Sequence, residues 1–281
     1  MTQKIAVAVI HGIGKQDPAF AANISKALIT SCGDDCGADI VIEPIYWAKV
    51  MQDAEDELQQ RLQQGGKMNF PRLREFAIDF VADALAYQPA PDDRSSYDGI
   101  HRVFAQAIHQ LAEKTDPTAP LCIIAHSLGT VISSNYIYDL QVEPYRSIIS
   151  PIVKEAMADT PIERGETLTL FYTLGSPIAL WSLRYHDFGK PIQIPAPQLA
   201  HYYPELKGEW VNFYDKDDVV GYPIKLLNAR YRAIVTEDRA INVGHFPANI
   251  TPASHMGYWT DREVIGPIAA SLKRVWQTIN G

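Results

Sequence analysis

Ser127 is the residue whose setting best fits a nucleophile. It ends an apolar run, Leu121-Cys122-Ile123-Ile124-Ala125-His126, and is followed by Leu128-Gly129 and helical spacing to Leu140. A strand that turns sharply into a helix exposes the serine at the turn, and small residues two positions to either side let the two elements pack closely. Ala125 and Gly129 supply them. A serine hydroxyl attacks a carbonyl when a histidine takes its proton, and that histidine needs a carboxylate to fix its tautomer. The chemistry is then acyl transfer; the plainer alternative for Ser127 is a helix N-cap. His11-Gly12-Ile13-Gly14 follows the apolar run Lys4 to Ile10. Lys15 comes next, but the G-x-x-x-x-G-K-[ST] spacing of a phosphate loop is absent, which leaves a glycine-rich turn between strand and helix.

With these two features the chain resembles the α/β-hydrolase family, specifically its lipase-like and esterase-like members. Ala125 departs from the first glycine of the family's G-x-S-x-G turn. The resemblance implies that the backbone N–H groups of Ile13 and Leu128 point at the developing oxyanion, and that the acid and then the histidine follow the serine in the chain. The segment Trp210 to Val220 resembles the lipase pattern of an acid before a short apolar pair, which selects Asp218 and leaves Asp217 and Asp215 as alternatives. Ser254-His255-Met256-Gly257-Tyr258-Trp259 is similar to the family's H-x-x-Y-W arrangement and assigns the base to His255, with His245 as the competitor. Leu174-Gly175-Ser176-Pro177 resembles a loop bordering the active site, so Ser176 is a candidate substrate contact or, alternatively, a helix cap.

The resemblance implies cleavage of a carboxylic ester through an acyl-enzyme, on a small-molecule or lipid-like substrate, with no cofactor and no metal. A thioesterase, amidase or peptidase would use the same triad. A non-catalytic member binding a ligand or a protein is the alternative from another class.

These residues need a scaffold, and the alternation of apolar runs predicts an α/β fold with a mostly parallel sheet flanked by helices. Strands are expected at Lys4 to Ile10, Asp39 to Trp47, Leu121 to Ala125, Thr167 to Leu174, Trp210 to Tyr214 and Arg239 to Val243. Helices are expected over 19–31, Leu128 to Leu140 and Arg262 to Ile279. The stretch 48–118 is too long for one crossover and splits at Gly65-Gly66 and again at Pro89 to Ser96, giving three helices. The third, with Ile100, Val103, Phe104, Ala107, Ile108 and Leu111 on one stripe and Ser95 or Ser96 as its cap, is the crossover. The first two form a helical insertion over about 48–95 before the nucleophile strand, expected to cap the pocket, with Phe76 and Phe80 contributing to a substrate groove. His11 is read as an anchor of its loop, His126 as support of the serine turn, and His101 and His109 as surface or packing residues.

Composition sets the outer bounds. The 281 residues, 47% hydrophobic and 21% charged, suffice for the core of one domain over 1–281. A net charge of −8 without clustered Lys and Arg argues against a nucleic-acid partner. No apolar stretch approaches the roughly 18 residues of a membrane span, so no integral membrane segment is expected. Cys32, Cys36 and Cys122 are too few and odd in number for a disulfide framework, and a cytoplasmic location is expected. Cys32 and Cys36 stand without a second ligand pair and are read as a loop after a helix.

Overall fold

The computed structural model describes residues 2–13, 16–52, 57, 60–62, 64, 83–90, 93–244 and 252–281. Six strands, β1 (Ile5–Ile10), β2 (Ile40–Ile45), β3 (Leu121–His126), β4 (Leu168–Leu174), β5 (Glu209–Asp215) and β6 (Glu237–Ile241), form one sheet in the order β2-β1-β3-β4-β5-β6. All five pairings are parallel. Every residue of β1, β3 and β4 is buried, as the unbroken apolar runs require of strands covered on both faces.

Alternate residues of β1 divide between two cores. Ala6, Ala8 and Ile10 pack with helices α3 (Ser95–Lys114) and α4 (Leu128–Arg146). Ile5, Val7 and Val9 pack with α1 (Ala22–Cys32) and the terminal helix α6 (Arg262–Asn280). A short helix α2 (Asp34–Ala38) follows α1, and α5 (Ile178–Ser182) follows β4. This is the α/β-hydrolase fold.

The chain leaves β1 for β2 on one side and returns to β3 on the other, so the order reverses between β1 and β3. In open α/β sheets ligands bind outside the carboxyl ends of the strands at such a point. Ile10 pairs with Ala125, His126 with Leu174 and Asp215 with Ile241, so the loops that follow these strands emerge side by side.

Three expectations are corrected. Cys32 and Cys36 lie at the end of α1 and within α2, both buried, because Gly33, at φ 83°, breaks the helix and lets it restart. Neither Ser95 nor Ser96 caps α3. Asp93 takes that place, its Oδ1 accepting from the Ser95 N–H at 2.9 Å and the Ser95 hydroxyl at 2.7 Å, since a carboxylate is the stronger acceptor. α4 runs past Leu140 to Arg146, carrying Pro144 in its last turn. Most of the 48–95 insertion, with Phe76 and Phe80, lies outside the described residues.

Candidate active site

Ser127 sits between β3 and α4 with φ 52° and ψ −130°, a conformation costly for any residue with a Cβ. Its N–H donates to the Leu174 carbonyl at 2.9 Å, and its own carbonyl accepts from the Thr130 N–H and hydroxyl at 2.9 and 2.7 Å. The two glycines that matter here are defined by close approach. A Cβ on Gly12 would lie 2.5 Å from the Ser127 Cβ, and one on Gly129 would lie 2.4 Å from the His11 carbonyl oxygen. The β1 loop is thus pressed against the serine turn, and only glycine permits it.

His255 follows β6 in a short 3-10 turn, Pro252–Met256. Its Nε2 lies 2.8 Å from Ser127 Oγ and its Nδ1 2.9 Å from Asp218 Oδ2. With the carboxylate accepting, Nδ1–H donates to Asp218 and Nε2 accepts the serine proton. All three side chains are buried.

Asp218 is fixed from several sides. Its Oδ1 accepts from the Val220 N–H at 2.8 Å, and its Oδ2 also accepts from the Tyr258 hydroxyl at 2.8 Å. Burial alone would raise its carboxyl, but the bond and charge of His255, together with those two donors, outweigh it and hold the group below the usual carboxylate range. Gly175, at φ 55°, passes so close that a Cβ there would lie 2.8 Å from Asp218 Oδ2.

The alternatives separate cleanly. Asp215 is buried but committed elsewhere, its Oδ1 accepting from the Asp217 N–H and its Oδ2 from the Val243 N–H, which ties the ends of β5 and β6 together. Asp217 is exposed. His245 lies outside the described residues. Ser176 is fully buried, its hydroxyl 2.8 Å from that of Thr130 and accepting from the Ile178 N–H at 3.3 Å at the start of α5.

His11 anchors its loop in a specific way. The Trp47 N–H donates to His11 Nε2 at 3.2 Å, so the ring proton is on Nδ1, which donates to the Gly12 carbonyl at 2.7 Å. In a trans peptide the following N–H points the opposite way, so this bond turns the Ile13 N–H away from the His11 ring. Neither the Ile13 nor the Leu128 N–H has a hydrogen-bond partner among the described residues. Leu128 opens α4, where backbone donors have no intrahelical acceptor. Burial pushes the His11 imidazole down to about 4, opposed only by its bond to Gly12, and the ring stays neutral.

His126 supports the His255 loop across 129 positions of sequence, its Nε2–H donating to the His255 carbonyl at 2.7 Å. Burial first, then the neighbouring His255, push it down to about 3. Tyr258 also accepts from the Asp215 N–H at 2.9 Å, tying the end of β5 to the Asp218 carboxylate through one hydroxyl. The sequence signalled Tyr258 only as part of H-x-x-Y-W, and nothing in it pointed to the His126 bond.

No family model matches the chain, and no curated protein matches it. Among solved structures it is similar to the esterase domain of a Rhodothermus marinus protein, at 11% identity and a TM-score of 0.39, covering 96% of this chain and 86% of that one. It is similar to a Pyrobaculum calidifontis esterase at 11% identity and a TM-score of 0.42, covering 98% and 78%. A structure from work on the metagenome-derived lipolytic enzymes LipS and LipT matches at 13% identity and a TM-score of 0.42, covering 98% and 95%. The activities in those names belong to those proteins. Among the described residues, no helix is long and apolar enough to cross a membrane.

Proposed function

We propose that this protein is a serine hydrolase that cleaves carboxylic esters through an acyl-enzyme on Ser127. The observation that carries this reading is the continuous hydrogen-bonded array from Ser127 Oγ through His255 to Asp218, at 2.8 and 2.9 Å, headed by a serine in a strained turn.

In the first step Oγ bonds to the ester carbonyl carbon as its proton passes to His255 Nε2, and the carbonyl electrons move to oxygen. Asp218, held ionised, stabilises the imidazolium through Nδ1–H. The oxyanion is met by the N–H groups of Ile13 and Leu128, the first aimed by the His11 bond to Gly12 and the second open at the start of α4. Collapse of the tetrahedral intermediate breaks the bond to the leaving oxygen, which takes the proton from His255. A water molecule then repeats the sequence on the acyl-serine and releases the carboxylic acid.

Ser127→Ala is expected to lower ester hydrolysis by at least about a thousandfold, because the covalent route depends on that oxygen. Relief of backbone strain is not expected, since alanine keeps the Cβ, so thermal unfolding should be nearly unchanged. Wild-type turnover in a folded Ser127→Ala protein would contradict the reading.

A further inference from the structure

The triad itself is buried, but a groove of about 440 Å³ begins one helical turn away. Its floor follows a single stripe of α4, Val131, Ser134 or Asn135, and Tyr138, spaced to lie on one face. Its other wall is α5 and the segment after it, with Ile178 and Trp181 facing in. The loop that feeds this wall is the one whose Gly175 presses on Asp218 and whose Ser176 hydroxyl meets Thr130 of α4. Catalytic array and groove therefore share the same loop and the same helix.

The charge of the groove runs against that of the chain. Asp and Glu outnumber Lys and Arg by 33 to 25, yet Arg146, Lys190 and Arg230 line the groove, with His186, and no acid does among the described residues. None of the three bases is in an ion pair among those residues. Unpaired cations around an apolar floor in an acidic protein keep a positive local potential, which attracts a small anion. Aliphatic and aromatic walls with a few placed charges, in a volume of this size, are the make-up of a small-molecule site. The Trp181 indole N–H, buried and without an acceptor among the described residues, adds a donor on the same wall.

We infer that this groove binds the anionic end of a chain-like substrate, an apolar acyl or alkyl chain ending in a carboxylate or phosphate, whose ester bond lies at Ser127. The inference names the substrate class for the ester-hydrolase reading and rests on it for the placement of the ester. The floor residues take the methylenes, and the three bases at the rim take the charge by charge-assisted hydrogen bonds.

The test uses the full chain carrying Ser127→Ala, so that binding is read without turnover. Octanoate and octyl phosphate, kept monomeric, are titrated calorimetrically against octanol as the neutral control, with vesicles of anionic phospholipid as a separate arm. The two anions should bind at least about tenfold more tightly than octanol, and the surface substitutions Arg146→Gln, Lys190→Gln and Arg230→Gln, combined, should abolish that difference. With Ser127 restored, the same three substitutions should lower kcat/KM at least about tenfold for nitrophenyl esters whose acyl chain ends in a carboxylate, and change methyl-ended esters by less than about twofold. Equal binding of the three octyl compounds, a preference that survives the triple substitution, binding to vesicles alone, or equal losses on both ester sets would overturn the inference. Hydrolysis retained by Ser127→Ala would instead overturn the ester-hydrolase reading, leaving charge-dependent binding in the groove as a separate result.

Discussion

Two buried arrays in this molecule have the same parts in the same order, a hydroxyl, an imidazole and a carboxylate. In the first, Ser127 Oγ meets His255 and His255 meets Asp218. In the second, the Tyr87 hydroxyl lies 3.0 Å from His101 Nε2, and His101 Nδ1 lies 3.3 Å from Asp139 Oδ2. The Tyr97 hydroxyl donates to that carboxylate at 2.8 Å, much as Tyr258 does to Asp218. The expectation of a surface or packing role for His101 thus captured its burial and missed its polar partners.

What separates the arrays is where they stand and what surrounds the hydroxyl. Ser127 lies at the carboxyl end of a central strand, beside the Ile13 and Leu128 N–H groups, which have no partner among the described residues. Tyr87 lies in the core on the α3 and α4 side of the sheet, its ring stacked on Tyr97 at 5.1 Å and its oxygen already accepting from Asn135. Its backbone is not in the left-handed region that Ser127 occupies. A triad is therefore a property of its setting, and the second array reads as a buried polar clamp joining Tyr87 to α3 and α4.

Replacing each acid in turn gives the largest predicted contrast. Asp218→Asn should lower kcat by on the order of ten-thousandfold, since it favours the wrong tautomer of His255. Asp139→Asn should leave kcat within about threefold while costing about 1–3 kcal/mol of stability, the penalty of a damaged buried hydrogen-bond network. Steady-state rates and urea midpoints on the same two proteins read both effects, and a comparable loss of kcat in both would erase the distinction.

A second contrast concerns pH. His11 and His126, which brace the loops of Ile13 and His255, have folded values near 4 and 3, below the ordinary 6.5. The unfolded chain takes up protons on them below about 6.5 while the folded chain does not, so unfolding becomes easier as pH falls toward 4. For His11 the full effect is about 3 kcal/mol. Urea midpoints should therefore fall steadily from pH 7 to pH 4.5, and His126→Gln, which keeps a donor to the His255 carbonyl but does not titrate, should flatten that fall. An unchanged slope in the variant would remove His126 from this account.

The smallest predicted effect is at Tyr258. Tyr258→Phe removes one of the donors that hold Asp218 ionised and leaves the His255 bond in place, so kcat should fall by about tenfold with KM little changed. A rise in KM alone would place Tyr258 with substrate binding.

Much of the first array was legible in the sequence because its residues sit where strands end. The apolar run before Ser127 marks β3, and the small residues Ala125 and Gly129 mark the sharp turn. Strand ends drifted by a residue or two, as at β6, where Glu237 and Asp238 join the ladder and Val243 falls outside it. These shifts follow from hydrogen-bond register, which apolar periodicity does not encode. Spacing alone did not rank Asp215, Asp217 and Asp218, since the choice depends on which way one tight turn directs each carboxylate; the resemblance selected Asp218, the carboxylate that lies against His255. The second array was invisible because no strand end or sharp turn marks Tyr87, His101 and Asp139, which meet only when α3 packs on α4. The cationic groove was hidden for the same reason, its bases coming from three separate segments.

The most direct test is covalent. A fluorophosphonate probe reacts with a serine whose proton is taken by a neighbouring histidine and whose adduct is held by an oxyanion site. Incubated with the folded full chain and mapped by mass spectrometry, it should modify Ser127 and no tyrosine, and the adduct should disappear in Ser127→Ala and nearly so in His255→Ala. An unlabelled wild-type protein, or a label that persists in Ser127→Ala, would contradict the claim that the first array is the catalytic one.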